Sequence, residues 1–453
     1  MKLTRDQRRY FRALLFPALI ENLLSQIFLL IDSIMVGQME NSTPAVAAVG
    51  LSGAPINLII CICGGFFIGT TATVAWHRGA NEMEEARSTV WQSMTIALLI
   101  AVVLTGASFF YAGGIMRFVC GKSDAEVLRI ATLYYRINAV GFFFQILTMN
   151  ITASLRGIGI AKLPMIYNLT GGAANVVLNY VLIFGAFGFP ALGVAGAAIA
   201  TVAAKVLSFL LSAACLFARK LPLRYRRGVR LLPSRALLTR FLPIALTSGA
   251  EQLVLQSGAT LTAKIIAGLP TASLAANQIA QNLEGFAWSS SAACNVASTT
   301  LFGQSLGAGD EALGRRYLKQ TLRWALGFAA VEMAVMCLCG SGLARLFSND
   351  ASLYSTVAKL LIISAVSLPF INIHQTVSGA LRAAGDSVAP LIASILSLWV
   401  FRVGGGFLTL QLLDLGVYAY RWTLVCDQFV RCSCVCLFFH AGHWRKFLLP
   451  GRK

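Results

Sequence analysis

Apolar runs of roughly 20 to 30 residues, separated by short polar stretches, recur about twelve times along the chain, and each is long enough to cross a hydrocarbon layer about 30 Å thick. The predicted spans are residues 13–38, 46–76, 88–116, 127–152, 164–186, 191–218, 237–267, 273–303, 318–345, 354–379, 388–412 and 419–441. The first span contains QIFLLIDSIMVG at 26–37, which places a carboxylate in the middle of an apolar helix. Insertion scales put that placement at a cost of about 2.5–3.5 kcal/mol, so Asp32 is expected to have a function that offsets it.

The pattern also repeats. AVAAVGLS at 45–52 matches SLAANQIA at 273–280, HRGANEMEEAR at 77–87 matches SLGAGDEALGR at 305–315, and SLRGIGIAKLP at 154–164 matches ALRAAGDSVAP at 380–390. The offset stays between about 226 and 228 residues, which chance apolar similarity would not maintain. Six spans per half is an even number, so both halves enter from the same side and are related by an axis along the membrane normal. The expected organisation is a bundle over residues 1–218, a basic linker over 219–236 and a second bundle over 237–453. The fold class is an all-α polytopic membrane protein of twelve helices in two six-helix bundles.

Composition supports this reading. Of the 453 residues 57% are hydrophobic and only 12% charged, which excludes an ordinary soluble globule. The net charge of +19 could suggest a nucleic-acid binder, but there is too little polar surface to present it. Topology accounts for the charge. With both termini cytoplasmic, the inner segments are MKLTRDQRRYFR, HRGANEMEEARS, LRGIGIAK, ARKLPLRYRRGVRLLPSR, QSLGAGDEALGRRYLK, LRAAGDS and GHWRKFLLPGRK; with their flanks they hold about 26 of the 37 Lys and Arg. The N-terminal MKLTRDQRRYFRALLFPALI begins like a secretory signal, but Glu21 interrupts it and no small-x-small cleavage site follows, so it reads as a retained first span. The 11 cysteines lack the CxxC spacing of zinc sites and read as small apolar residues.

A two-bundle protein has its natural cavity between and within the halves, and buried polar residues should gather there. Glu21 and Asp32 are 11 residues apart, close to three helical turns, and therefore share a face of the first span. Ser25 lies between them, and Asn22, Gln26 and Ser33 form an adjacent row. Two carboxylates on one stripe suggest a water-accessible cation or proton site; polar packing between helices is the alternative for the serines and amides. The seventh span repeats the arrangement loosely with Glu251, Gln252, Gln256, Ser257, Thr260 and Thr262. Asn175 and Asn179, four residues apart on the fifth span, face the same way and can offer carbonyl oxygens to a cation or N–H donors to a carboxylate. Glu284, Glu332 and Asp427 are further intramembrane acids, read as structural partners of arginines such as Arg402 or Arg431.

Other signals lead nowhere. GIMRFVCGKS at 114–123 ends like a phosphate-binding loop, but Met116 stands where that motif needs glycine. No HExxH, GxSxG or His–carboxylate–nucleophile set is present, so the chain is not expected to be an enzyme. Asn41-Ser42-Thr43 has the form of a glycosylation sequon in an outer loop.

Taken in order, PALIENLLSQIFLLIDSIMVG at 17–37, the GANEMEEAR and GAGDEALGR loops, LRGIGIAKLP, NVVLNYVLIFGAFGFPALGVAGAAIATV at 175–202, Pro243 with Glu251 eight residues later, LAANQIA and LRAAGDSVAP cover nearly the whole chain. This set resembles the multidrug and toxic compound extrusion (MATE) transporters, within the larger group that includes flippases of lipid-linked oligosaccharides. The resemblance implies two bundles around a V-shaped cavity, alternating access, and efflux driven by inward H⁺ or Na⁺. It puts Asp32 on the family's first-helix acidic residue, Asn175 and Thr201 in the same polar cluster, Tyr134 or Tyr135 on its tyrosine, and Glu251 on the seventh-helix glutamate of the NorM-like branch. Asn179 stands where many bacterial members have aspartate, the tenth-helix acid of that branch is missing, with Asn372 and His374 nearby, and Lys205 stands where an uncharged residue is usual.

The expected function is export of organic, cationic or amphipathic compounds in exchange for H⁺ or Na⁺, with Asp32, Glu21, Glu251, Asn175 and Asn179 coupling the ion and any Na⁺ lying near Asp32, Asn175 and Asn179. The candidate cavity residues are Ser25, Gln26, Tyr135, Thr201, Gln252, Gln256, Asn277 and Gln278. No cofactor and no nucleic acid are expected; the partners are small organic substrates and the lipid bilayer of the cell membrane, and the working unit is a monomer. The rival is a flippase for a lipid-linked precursor, which would need several cationic side chains in the cavity to hold pyrophosphate, where the clearest candidates are acidic or neutral.

Overall fold

The computed structural model describes residues 3–38, 42–121, 124–218, 221–226, 228–345 and 350–447. The sequon and the last residues of the GIMRFVCGKS stretch fall on or beside positions outside this set. Thirteen helices account for nearly all of it: α1 Arg5–Gly37, α2 Ser42–Gly79, α3 Met83–Phe110, α4 Ala112–Cys120, α5 Ala125–Gly157, α6 Lys162–Phe184, α7 Gly193–Phe217, α8 Arg235–Ile266, α9 Thr271–Gly307, α10 Glu311–Arg345, α11 Ala351–Ala384, α12 Val388–Leu412 and α13 Gly416–His440. The described residues contain no strand.

Twelve of these helices are the predicted spans, with boundaries shifted. The span expected over 88–116 is divided: α3 ends at Phe110, and after Tyr111 the nine-residue α4 packs its buried Ala112, Met116 and Cys120 onto α5. Gly113 and Gly114, poor helix formers, stand just after the break. Ten of the long helices are apolar enough to cross a membrane by length and composition. The other two, α8 and α9, are rich in polar residues. α9 contacts α1, α2, α10 and α11, and its serines Ser289, Ser290 and Ser291 donate to carbonyls of the preceding turn. A helix enclosed by protein on so many sides has little need of an apolar surface.

The two halves pack alike. Within the first, α2 contacts α5, α3 contacts α5, α5 contacts α7, α6 contacts α7 and α1 contacts α6; in the second, α9 contacts α11, α10 contacts α11, α11 contacts α13, α12 contacts α13 and α8 contacts α12. The contacts between halves are paired as well, α1 with α9 and α8 with α2, as a pseudo-two-fold requires. α12 differs from its counterpart α6: it becomes π-helical over Leu398–Gly404 and Leu408–Leu412, on either side of Gly405 and Gly406. Such bulges absorb an irregular backbone within a helix.

One end of the molecule is closed. It carries the predicted cytoplasmic segments and the connections at 80–82, 158–161, 308–310 and 385–387. There Tyr10 Oη donates to Gln304 Oε1 at 2.9 Å, Gln304 Nε2 donates to the Gly157 carbonyl at 2.9 Å, and the Arg240 guanidinium lies 3.7 Å from the centre of the Trp76 ring. α2 and α9 approach so closely that a Cβ at Gly79 would lie 1.8 Å from the Gln304 carbonyl oxygen, and one at Gly307 would lie 2.0 Å from the Trp76 carbonyl oxygen. Only glycine fits at either position.

Candidate functional site

The polar face of α1 opens into two adjoining cavities of about 630 and 740 Å³. Asn22, Ser25, Asp32, Ile60, Gln145, Asn175 and Lys205 line both, so they form one continuous space at mid-bundle. Met149, Phe67, Phe28 and Trp288 supply apolar wall, the mixture expected of a pocket for drug-sized organic molecules.

Asp32 is held from α6. Asn179 Nδ2 donates to Asp32 Oδ1. With its amide turned to satisfy both ends, Asn175 donates to Asp32 Oδ1 at 3.3 Å and accepts from the Thr201 backbone nitrogen at 3.3 Å. The four-residue spacing of the two asparagines thus puts both amides on one carboxylate, with Thr201 of α7 behind them. Tyr134 packs beneath with Met35, Val36 and Ile183 and lies within electrostatic reach of Asp32. Of the two tyrosines considered, it is Tyr134 that neighbours this cluster. Tyr135, not among the residues lining the cavity, is buried against Phe142 and within reach of Ser108, on another face of α5.

Glu21 lines the larger group of cavity residues but is not free. Arg156 Nη2 lies 2.9 Å from Glu21 Oε1, and Asn168 Nδ2 donates to the same oxygen at 2.7 Å; Glu21 Oε2 is buried without a partner. Glu251, expected to be its counterpart at the cavity, lies elsewhere. It is buried inside the second bundle, where Arg382 Nη2 donates to its Oε2 at 2.5 Å and Ser394 Oγ to its Oε1 at 3.0 Å. Arg156 and Arg382 stand 226 residues apart, as do Asn168 and Ser394, so the same three-residue arrangement occurs in both repeats. Both arginines, expected among the cytoplasmic basic residues, are in fact ion-pair partners within α5 and α11, Arg382 fully buried and Arg156 half-buried at the cavity wall.

The remaining expectations divide. Ser25, Gln26 and Thr201 line the cavity. Gln252 and Gln256 lie instead at the α2–α8 contact, the first against the backbone of Gly65 and the second donating to Cys61 Sγ at 3.6 Å. Asn277 is buried and receives Arg421 on its carbonyl at 3.0 Å, while Gln278 is exposed and donates to Asn282 Oδ1 at 3.3 Å. One helix turn per polar residue does not fix which face meets the cavity, and α9 turns these two toward α13 and the exterior. Of the acids read as arginine partners, Glu284 pairs with Arg421 and Asp427 with Arg431, the latter at 2.8 Å, whereas Glu332 has no arginine within ion-pair distance among the described residues and lies instead against Ser290 and Asn372. No cluster of metal-binding side chains occurs among the described residues.

Lys205 belongs to the cavity although composition alone gave it no role there. Its repeat counterpart, 226 residues on, is Arg431, which pairs with Asp427; the residue corresponding to Asp427 is Thr201. Lys205 accordingly has no carboxylate within ion-pair distance among the described residues, and its ammonium lies 5.6 Å from the centre of the Phe142 ring. Gly141 leaves room for it, since a Cβ there would lie 2.9 Å from Lys205 Cδ.

Two pseudo-symmetric helical bundles around a polar mid-bundle cavity define a multi-pass membrane transporter rather than an enzyme. The chain belongs to the MatE family, whose sequence profile matches residues 17–181 and 247–408, one segment in each half. It is 27% identical to the probable multidrug resistance protein NorM of Thermotoga maritima over 97% of this chain and 93% of that protein. With the uncharacterized transporter YisQ of Bacillus subtilis it shares 26% identity over 95% of this chain and 94% of that one. The fold also superposes on an outward-facing structure of a multidrug resistance MATE family transporter, with a TM-score of 0.89 at 22% identity and 96% of each chain covered.

Proposed function

We propose that the chain exports organic cations and amphipathic compounds in exchange for protons, by alternating access, working as a monomer in the cell membrane with both termini in the cytoplasm. The observation that carries this reading is Asp32, a carboxylate in a drug-sized cavity whose partners are two neutral amides. A carboxylate so held can take up a proton or pair with a cationic substrate, but not both at once. That exclusion is what exchange between two access states requires. The basic end is cytoplasmic by the positive-inside rule, so the closed contacts around Gly79 and Gly307 describe a state shut to the cytoplasm.

Proton coupling is favoured over Na⁺ because Asn179, the group held against Asp32, is a neutral amide rather than a second carboxylate. A Na⁺ cage would need oxygens converging there. Glu21 and Glu251 take supporting parts, each already neutralised by an arginine. The flippase alternative gains Arg156 and Lys205 as cavity cations, but Arg156 is spent on Glu21, and one remaining ammonium is a poor cradle for pyrophosphate. Efflux of a panel of fluorescent cations from inverted membrane vesicles, with pH and Na⁺ gradients imposed separately, tests the reading. The reading fails if neither gradient drives uptake into the vesicles, and its proton coupling fails if only the Na⁺ gradient does.

A further inference from the structure

The basic end carries a second, unrelated cavity. It measures about 400 Å³ and lies between α1 of the first half and α10 of the second, with Arg8 and Arg12 on one wall and Arg316, Lys319 and Arg323 on the other. The spacing produces this convergence. A capping box at Thr4, with Gln7 N donating to Thr4 Oγ1 at 3.3 Å and Thr4 N to Gln7 Oε1 at 3.0 Å, starts α1 so that Arg8 and Arg12 fall one turn apart on one face. On α10, positions 316, 319 and 323 form one stripe by the same helical rule. The floor is apolar: Phe11 is buried, and Phe16 meets Trp324 edge to face at 5.4 Å.

Some cations elsewhere at this end are paired. Arg315 and Arg445 both lie 2.8 Å from Glu311, and Arg87 donates to the Pro222 carbonyl at 2.9 and 2.7 Å. In the cleft only Arg316 has a carboxylate, Asp310 at 3.8 Å; Arg8, Arg12, Lys319 and Arg323 have none within ion-pair distance among the described residues. Orienting basic residues toward the cytoplasm needs no such convergence. Four uncompensated cations around one space, with an aromatic floor at the level where α1 and α10 enter the membrane, match a phosphate attached to acyl chains.

We propose that this cleft binds the headgroup of an anionic phospholipid from the cytoplasmic leaflet. Because its walls belong to different halves, the bound phosphate also ties α1 to α10 and favours the state in which this end is closed.

Native mass spectrometry of the purified full-length chain in detergent tests this with phosphatidylglycerol, phosphatidylcholine and inorganic phosphate as probes. Phosphatidylglycerol should be retained about tenfold or more over phosphatidylcholine, a ratio that falls with added salt, and Arg12→Gln with Arg323→Gln should bring it close to one. Arg226→Gln, on the same end but outside the cleft, should leave the ratio unchanged. Equal retention of the two lipids by the unaltered chain, or an unchanged ratio in the double variant, overturns the proposal. Displacement of phosphatidylglycerol by millimolar inorganic phosphate also overturns it, because the cleft would then be a free-anion site. If the double variant does not fold, Arg12→Lys with Arg323→Lys, which keeps the charge, must retain the preference, and the salt dependence of the unaltered chain must still appear.

Discussion

Arg382 donates to Glu251 at 2.5 Å inside the second bundle, and both side chains are almost fully buried. Removing one member of such a pair leaves an uncompensated charge, which typically costs about 3–5 kcal/mol. Arg382→Leu should therefore lower the detergent-solubilised midpoint of thermal unfolding sharply, and Arg382→Leu with Glu251→Leu should recover much of the loss. The equivalent Arg156→Leu faces water in the cavity and should destabilise less. A smaller effect of Arg382→Leu than of Arg156→Leu would show that burial does not set the difference.

Asp32 is predicted to be dispensable for folding and indispensable for coupling. Asp32→Asn keeps the shape and can still hydrogen-bond to Asn179, yet it can neither bind a proton at neutral pH nor attract a cation. Vesicles containing this variant at normal protein level should accumulate no more substrate under an imposed pH gradient than empty vesicles do. Full gradient-driven uptake by Asp32→Asn would remove this carboxylate from the mechanism.

Much of this was legible in the chain. The spans and the duplication follow from hydropathy and a constant offset, and the shared face of Asn175 and Asn179 from their four-residue spacing; that Asp32 joins them was implied only by the family resemblance. The partners of Glu21 and Glu251 were not legible. They are arginines more than a hundred residues distant, at sequence positions where a basic residue also reads as topogenic. The repeat aligned Arg156 with Arg382, but nothing local said that either turns inward. Gln252 and Gln256 meet α2 rather than the cavity for a related reason: a polar residue on an inter-bundle helix is as well placed to touch the other bundle as to touch water.

Gly79 and Gly307 should set the balance between access states. Each lacks the Cβ that would strike the facing carbonyl, so Gly79→Ala and Gly307→Ala both penalise the closed basic end without altering the cavity. Overpacking of this kind costs about 1–3 kcal/mol, enough to shift the population toward the opposite state roughly 5- to 150-fold. In a background with the native cysteines replaced, a cavity cysteine at Thr299→Cys should be labelled faster by a polar maleimide added to inverted membranes when either glycine is changed. Unchanged labelling rates in both variants would falsify the assignment of this contact as the closure.

Lys205 should tune the charge of the cargo. It lines both parts of the cavity with Asp32 and has no carboxylate of its own, so it opposes any cation that approaches the Asp32 cluster. At about 10 Å and an effective dielectric constant of about 20, one unit charge contributes roughly 1–2 kcal/mol, or about 5- to 30-fold in affinity. Lys205→Met should lower the apparent KM for a quaternary ammonium by about that factor, while an uncharged amphipath of similar size changes little. Lys205→Arg, which keeps the charge, should behave like the unaltered chain for both. Concentration series of the two compounds in the same vesicles check this. A parallel change for both compounds would mean that the lysine acts through packing against Phe142 and Gly141, and its ammonium would then have no part in selecting substrates.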